Sequence, residues 1–351
     1  MNGTMNCAVF ADVERMEYMK RPIPGCPKGG LLVKVLACGI CGGDVRNFHN
    51  GLKGGITNQI MGHEIAGEIV EADAAVTRFI VGDRVALAPD VSCGTCWYCR
   101  RGLVNLCQNH RMLGTHLPGG YAQYIALDQD VLSHGFIEKI PDNMPYDHAA
   151  FAETASAVVA CQARVNVSLG DVALIIGDGP VGCLHIEVAR ARGAGKVLLA
   201  GMDRLALAER FSPDLLLDNR DPEQVAAGVM EATGGIGADV VICAVPSVEP
   251  QQQALELCRK RGWVIIYGGV PKSAEMTTLN SNLIHYNELN LTGAFSYPPT
   301  ALADALRAIA AGQIDPKKYI SCRVPLHEVT HGMDLMQRGE ALKVIVEPWP
   351  N

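Results

Sequence analysis

The chain has 351 residues, of which 48% are hydrophobic and 19% are charged, and it contains 37 glycines. This length allows two domains with complete cores, and the composition is that of a folded α/β protein rather than a disordered one. A net charge of −7 without a basic run argues against nucleic acid or an anionic membrane as partner. Without a membrane-spanning apolar run or a signal-peptide pattern, we expect a cytoplasmic protein.

The first part of the chain is predicted to be β-rich, with turns at glycines. Residues 30–37 form an apolar strand that leads to Cys41, and a second strand, over about 65–70, follows Gly62-His63-Glu64. Thiolate, imidazole and carboxylate groups are zinc ligands. A single Cys or His is more often core or surface filler, so these residues alone do not decide the function.

Four cysteines lie close together in a Cys-x-x-Cys-x-x-Cys run with one more Cys further on: Cys93, Cys96, Cys99 and Cys107. Four thiolates fill every position around a tetrahedral ion, which is typical of a structural zinc site. An iron–sulfur cluster also uses four cysteines, but nothing else in the chain indicates electron transfer. The total of 13 cysteines is odd and clustered, which argues against a disulfide framework.

An alanine-rich segment, residues 146–164, has high helix propensity. Glu153 lies within it among small apolar residues, where a carboxylate is costly unless it is paired or bound to a metal. On this pattern alone, a metal ligand and a glutamate on the helix surface are equally good interpretations.

A dinucleotide-binding pattern follows. An apolar strand over residues 171–176 runs into Gly177-Asp-Gly179-Pro180-Val181-Gly182, then into a helix to about 192 and a strand over 196–200. This βαβ context turns an otherwise weak glycine motif into a strong prediction. Further strands are predicted at 238–244, 262–268 and 289–295, followed by a helix at 300–311 and strands at 319–324 and 343–346. The alternation predicts a doubly wound parallel sheet with its ligand at the carboxyl ends of the strands.

Together these motifs resemble the zinc-dependent medium-chain alcohol and polyol dehydrogenases, nearest the sorbitol, threonine and galactitol-phosphate dehydrogenase branch. The resemblance covers essentially the whole chain. It rests on the order and spacing of Gly-Ile-Cys41-Gly-x-Asp44, Gly62-His63-Glu64-x-x-Gly67, Gly82-Asp83-Arg84-Val85, the four-cysteine lobe, Glu153 and the motif at Gly177. It implies an α/β fold in which a β-rich GroES-like catalytic domain, residues 1–155 and 293–351, is interrupted by a Rossmann NAD(P)-binding domain, residues 156–292.

The resemblance also implies roles for individual residues. Cys41 and His63 are expected to be ligands of a catalytic zinc. Glu153 is expected to be a ligand or to hold the zinc-bound water, and Glu64 is a ligand in some relatives. The four cysteines within the lobe at 90–110 match a structural zinc site, which gives two zinc ions per chain. Lys343 matches a basic residue that contacts the cofactor pyrophosphate.

The sequence departs from the family at the proton relay. Relatives usually carry Ser or Thr where this chain has Gly43, and often His where it has Arg46. We expect water held by Glu153 or Glu64 to replace the missing hydroxyl, with His49 a weaker candidate. Arg46 is either an anchor for an anionic or polyhydroxylated substrate or a solvated surface residue.

A second departure concerns the choice of cofactor. NAD-specific relatives place an acidic residue at the end of the second Rossmann strand, but this chain has Gly201 there. Asp203 is close enough to reach the ribose, whereas Arg204 favours a 2′-phosphate. We expect NAD to be preferred over NADP.

The predicted function is hydride transfer between a secondary alcohol (a polyol, cyclitol or sugar alcohol) and a nicotinamide cofactor. Zinc would act as a Lewis acid toward this small-molecule substrate. Candidate cleft residues are Arg46, Asn47, His49, His116, Phe295 and Tyr297. A threonine- or amino-alcohol-type dehydrogenase and a non-catalytic NAD(P)-binding relative are the alternatives. By analogy with relatives, we expect a homodimer or homotetramer.

Overall fold

The computed structural model describes residues 3–349. Contacts divide the chain into two units. The first unit comprises the residues up to Ser156, Tyr297–Ala311 and the segment from Asp315 onward, and the second comprises Ala157–Ser296 with Gly312–Ile314. The domain bounds drawn from the sequence, 1–155 with 293–351 and 156–292, remain a prediction close to this division.

The amino-terminal part of the first unit is mostly β-structure. Its elements are β1 (Thr4–Asp12), β2 (Arg15–Pro22), β3 (Leu31–Gly39), α1 (Gly42–Asn50), β4 (Gln59–Ile60), β5 (Glu64–Ala72), β6 (Arg84–Val91), β7 (Arg111–Met112), β8 (Tyr124–Leu127), α2 (Gln129–His134), β9 (Gly135–Lys139) and the first half of α3 (Tyr146–Arg164), whose second half belongs to the second unit. Most side chains of β3 and β5 are buried, as their apolar runs predict. These two strands pair antiparallel and bring Gly39 opposite Glu64.

The second unit is built on a parallel sheet. Its elements are β10 (Val172–Ile176), α4 (Pro180–Ala191), β11 (Lys196–Gly201), α5 (Leu205–Ala208), β12 (Leu215–Asp218), α6 (Pro222–Ala232), β13 (Ala238–Cys243), α7 (Glu249–Leu257), β14 (Cys258–Ile266), α8 (Ser281–Tyr286) and β15 (Asn290–Gly293). The strand order is β12-β11-β10-β13-β14-β15, and every neighbouring pair is parallel. The predicted parallel doubly wound sheet is therefore confirmed.

The carboxy-terminal segment returns to the first unit. It contains α9 (Thr300–Ala310), β16 (Ile320–Pro325), α10 (Val329–Gln337) and β17 (Lys343–Glu347). Strand β17 pairs parallel with β16 and antiparallel with the end of β3. This pairing places Lys343 in the same sheet as the strand that leads to Cys41.

Two glycines allow close approaches that this arrangement needs. A Cβ atom at Gly39 would lie 1.9 Å from Glu64 Oε2, so only glycine lets that carboxylate lie over the strand. Gly62 has a φ of 86°, and a Cβ atom there would lie 2.5 Å from the Tyr121 ring.

Among residues 3–349, no helix combines the length and hydrophobicity needed to cross a bilayer.

Candidate functional site

Three potential metal ligands converge at the ends of β3 and β5. Cys41 is the N-cap of α1, and its Sγ accepts a hydrogen bond of 3.3 Å from the Gly43 amide. His63 immediately precedes β5, and Glu64 is the first residue of that strand. One potential ligand atom from each of Cys41, His63 and Glu64 lies within 4.8 Å of the other two. A thiol, an imidazole and a carboxylate at this spacing fit a zinc ion.

Asp44 orients the histidine of this cluster. Its Oδ1 lies 3.1 Å from His63 Nδ1, so Nδ1–H donates to the carboxylate and Nε2 is left for a metal. Its Oδ2 accepts from the Cys41 amide and from the Tyr121 hydroxyl, each at 3.0 Å. Burial opposes ionisation of Asp44, but His63 and these hydrogen bonds outweigh burial and lower its pKa.

Asp44 belongs to the Cys41 motif, but no role for it was predicted from the sequence. A local signal was present, because Asp44 is the third residue after the N-cap Cys41, and this spacing is that of a capping box. The contact with Tyr121 had no such signal, since it joins residues 77 positions apart.

Glu64 takes part in a buried ion pair as well as in the cluster. Lys343 Nζ lies 2.6 and 2.8 Å from the two Glu64 carboxylate oxygens, and it also donates to Thr154 Oγ1 and the Ile40 carbonyl, both at 3.1 Å. The Thr154 hydroxyl donates to Glu64 Oε1 at 2.9 Å. Burial disfavours the charged amine, but Glu64 and neighbouring anions raise the pKa of Lys343. Lys343, which was expected from the sequence to contact the cofactor pyrophosphate, is therefore paired with Glu64 in this structure.

Glu153 lies on α3, outside the group of ligand atoms that meet within 4.8 Å. The Tyr297 hydroxyl donates a hydrogen bond of 2.5 Å to Glu153 Oε1, and both side chains are buried. Burial raises the pKa of Glu153 to about 7, with Glu64 adding to the increase while His63 and Tyr297 oppose it. Tyr297 was expected to line the substrate cleft, and the structure gives it this contact with Glu153.

Gly43 leaves open space beside the cluster. A Cβ atom at this position would lie 3.6 Å from Cys41 Sγ, 3.9 Å from His63 Cε1 and 4.0 Å from Arg46 Nη2. The Arg46 guanidinium is therefore next to the cluster. Within residues 3–349 it has neither a hydrogen-bond nor an ion-pair partner.

The other predicted relay and cleft residues lie in different surroundings. Both ring nitrogens of His49 are occupied, at 2.8 Å from Glu14 and 2.8 Å from Gln337, so the ring is not free to relay a proton. His116 Nδ1 accepts from the Met112 amide at 3.2 Å. Phe295 belongs to the second unit and is 64% exposed.

The four cysteines of the lobe come together as a second potential metal site. One sulfur from each of Cys93, Cys96, Cys99 and Cys107 lies within 4.8 Å of the other three. Backbone amides, first that of Thr95, lower the pKa of the Cys93 thiol to about 5, which favours the thiolate. Four thiols with this spacing fill all four positions of a closed tetrahedral zinc site.

The second unit carries a cavity of about 820 Å³ at the carboxyl ends of β10, β11 and β13. Gly177 has a φ of 128°, and a Cβ atom at Gly182 would lie 1.9 Å from the Gly177 carbonyl oxygen, so both positions require glycine. Gly179 is the N-cap of α4, with Pro180 in its first turn. A helix N-terminus at a parallel-sheet edge fits the pyrophosphate of a dinucleotide.

The comparisons with known proteins agree with this geometry. Residues 27–142 match the alcohol dehydrogenase GroES-like domain family, and residues 180–311 match the zinc-binding dehydrogenase family. The chain is 32% identical to the sorbitol dehydrogenase of Bacillus subtilis (strain 168), over 98% of this chain and 97% of that protein. The chain belongs to the zinc-dependent medium-chain alcohol and polyol dehydrogenase family.

Two further relatives illustrate the breadth of this family. The chain is 31% identical to the D-arabitol-phosphate dehydrogenase of Enterococcus avium, over 96% of this chain and 95% of that protein. A protein of Sinorhizobium meliloti 1021, assigned as a zinc-binding dehydrogenase and solved with NADP bound, is 30% identical. Its TM-score to this structure is 0.88, over 99% of this chain and 100% of that one. The predicted family, the GroES-like and Rossmann fold, and the class of zinc- and nicotinamide-dependent alcohol or polyol dehydrogenase are confirmed.

Proposed function

We propose that this medium-chain dehydrogenase transfers a hydride between the carbinol carbon of a polyol or sugar alcohol and a nicotinamide. The observation that carries the proposal is the cluster of Cys41, His63 and Glu64 beside the open side-chain position of Gly43. Three protein ligands with an open position are typical of catalytic zinc, whereas four thiolates are typical of structural zinc. We therefore assign one zinc ion to each cluster, which makes two per chain.

The chain's own residues would prepare the site as follows. Bound zinc supplies a Lewis acid for the alcohol oxygen, and the nicotinamide supplies the hydride acceptor. Asp44 fixes the ring of His63. Lys343 balances the charge of Glu64 and fixes its position. Glu153 takes up the alcohol proton at Oε2 through water, because Oε1 already accepts from Tyr297 and a pKa of about 7 suits a base near neutral pH.

Two substrate classes fit the site. A neutral polyol, such as sorbitol, is supported by the similarity to sorbitol dehydrogenase. An anionic polyol, such as a phosphate ester, is supported by the Arg46 guanidinium beside the cluster, which pairs with no residue between 3 and 349, and by the similarity to D-arabitol-phosphate dehydrogenase. We favour the anionic class, because Arg46 occupies the position at which relatives often carry the relay histidine.

We further propose that NAD is the preferred cofactor.

We also propose that the protein is a homodimer or homotetramer. The strand β15 forms an open edge of its sheet, and Met276, Tyr286 and Leu291, which are near it in the sequence, are exposed; both features support self-association. Light scattering after size exclusion measures the assembly, and a monomer at micromolar concentration would contradict it.

Metal analysis tests the assignment of the two clusters. Wild-type protein should contain two zinc ions per chain, and Cys41→Ala should keep one, remain folded and lose activity. One zinc in the wild type that is lost on Cys96→Ser but kept in Cys41→Ala would refute the catalytic site.

Kinetics with sorbitol, D-arabitol and an arabitol phosphate test the substrate class. Arg46→Gln should raise KM for the phosphate ester on the order of tenfold, and more than it raises KM for either neutral polyol. An equal effect on all three would remove Arg46 as the anion anchor.

A further inference from the structure

The cavity of the second unit contains a carboxylate that the sequence pattern does not assign. Relatives that prefer NAD carry the acidic group for the ribose at the end of the second Rossmann strand, and that place is Gly201 here. A Cβ atom at Gly201 would lie 2.5 Å from Asp178 Cβ and 2.6 Å from its Cγ and Oδ2. Asp178, which stands between the first two glycines of the motif, therefore fills the space of the missing side chain.

One backbone hydrogen bond holds the Asp178 carboxylate in position. Its Oδ2 accepts a hydrogen bond of 2.6 Å from the Arg204 amide, which links the glycine-rich loop to the segment after β11. Asp178 is 8% exposed, and it lines the 820 Å³ cavity together with Gly201 and Arg204. Its Oδ1 accepts no hydrogen bond from any residue between 3 and 349. The carboxylate is thus anchored through one oxygen and keeps the other for a ligand.

The other acidic candidate, Asp203, is engaged elsewhere. Asp203 Oδ1 accepts from Arg220 Nη2 at 2.9 Å, and its side chain is 75% exposed. Arg220 also contacts Asp218 at 3.3 Å, so this ion pair lies on the surface of the unit. Asp203 also lines the cavity, but it is a mostly exposed carboxylate paired with Arg220, whereas Asp178 is buried.

We infer that Asp178 is the carboxylate that binds the hydroxyls of the adenosine ribose, and that it selects NAD against NADP from the glycine-rich loop. The inference rests on the proposed nicotinamide function. Two ribose hydroxyls donate to an anchored carboxylate, whereas a 2′-phosphate brings negative charge against it in a partly buried place. Gly201 serves this arrangement because any larger residue there would displace Asp178.

Direct binding tests this role without turnover. Isothermal titration with NAD and with NADP, in the absence of substrate, gives both dissociation constants for wild type and Asp178→Asn. The asparagine keeps the size and the acceptor for the Arg204 amide but removes the charge. We expect wild type to bind NAD at least tenfold more tightly than NADP. We expect Asp178→Asn to weaken NAD binding on the order of tenfold and to reduce the preference.

Two further variants make the result specific. Asp218→Asn removes an equal charge from the surface pair, and the ratio of the two dissociation constants should not change. The double variant Asp178→Ala, Gly201→Asp moves the carboxylate to the strand end and should recover most of the preference for NAD. A role of Asp178 confined to loop packing predicts no such recovery.

The outcomes distinguish failure of the proposed nicotinamide function from failure of the role of Asp178. If wild type binds neither nucleotide, the proposed nicotinamide function fails. If both nucleotides bind but Asp178→Asn leaves their ratio unchanged, only the role of Asp178 fails. A wild type that prefers NADP, or a shift produced by Asp203→Asn and not by Asp178→Asn, also overturns it. Thermal unfolding and zinc content of each variant verify that the fold is intact.

Discussion

The buried pair of Lys343 and Glu64 gives a prediction with a definite size. Replacing Lys343 by Met removes four contacts of the amine and leaves a carboxylate that is fully buried without its counter-ion. Breaking a buried pair on one side costs about 3–5 kcal/mol of unfolding free energy. Adding Glu64→Gln removes the unpaired buried charge, so the double variant should regain most of the lost unfolding free energy.

Urea unfolding followed by tryptophan fluorescence measures this cost in the relevant unit. The chain has three tryptophans, and a Trp263→Phe background leaves Trp97 and Trp349, both in the first unit. Zinc content is measured in parallel, because Glu64 is a candidate ligand. A matched control is Lys139→Met, which removes a pair with Asp83 on a lysine that is 54% exposed. That control should cost no more than about 1 kcal/mol.

Two results would refute the reasoning. One is a cost for Lys343→Met no larger than that of the Lys139 control. The other is a double variant as unstable as Lys343→Met alone, since removal of the unpaired Glu64 charge would then restore no unfolding free energy.

Three further predictions concern residues around the catalytic cluster. Gly43→Ser fits, since its Cβ meets Cys41 Sγ at 3.6 Å; the added hydroxyl should raise kcat and alter its pH profile relative to Gly43→Ala, and identical profiles would exclude a relay there. Asp44→Asn should weaken zinc binding about 10- to 100-fold in chelator competition, because His63 loses its orienting carboxylate; unchanged affinity would contradict that role. Tyr297→Phe removes a hydrogen bond that lowers the pKa of Glu153, so this pKa rises and the acid limb of the kcat/KM profile for alcohol oxidation moves to higher pH. A limb that stays in place or moves to lower pH would exclude Glu153 as the proton acceptor.

Local spacing allowed the sequence to predict much of the fold. The parallel sheet followed from apolar strands and the glycine motif at Gly177, because such signals lie within a few residues of one another. Strand β2 was not predicted, since half of its residues are charged, five of the eight are exposed and the other three are only partly buried. Its pairing with β1 defines it, not its composition.

The candidate site was predictable only in part, because some of its contacts join residues that are far apart in the sequence. Cys41, His63 and the four lobe cysteines stand in short motifs, and the pairing of β3 with β5 brings Cys41 and His63 together. The contact between Glu64 and Lys343 joins residues 279 positions apart, so no window of sequence contains it. Asp178 lies inside a predicted loop, but its proposed role depends on its closeness to Gly201, which has no side chain. Only the pairing of β10 with β11 reveals that closeness.

The late position of β17 has a consequence for synthesis of the chain. Roughly 140 residues of the second unit separate Ser156 from Tyr297, and a ribosome adding about 5–20 residues per second needs roughly 7–28 s to make them. During that interval the end of β3 lacks the strand that later pairs with it, and the Glu64 carboxylate waits for Lys343. The second unit can finish folding while the first still exposes an unpaired sheet edge, which makes nascent chains stalled in this window the form most open to aggregation and to chaperone binding.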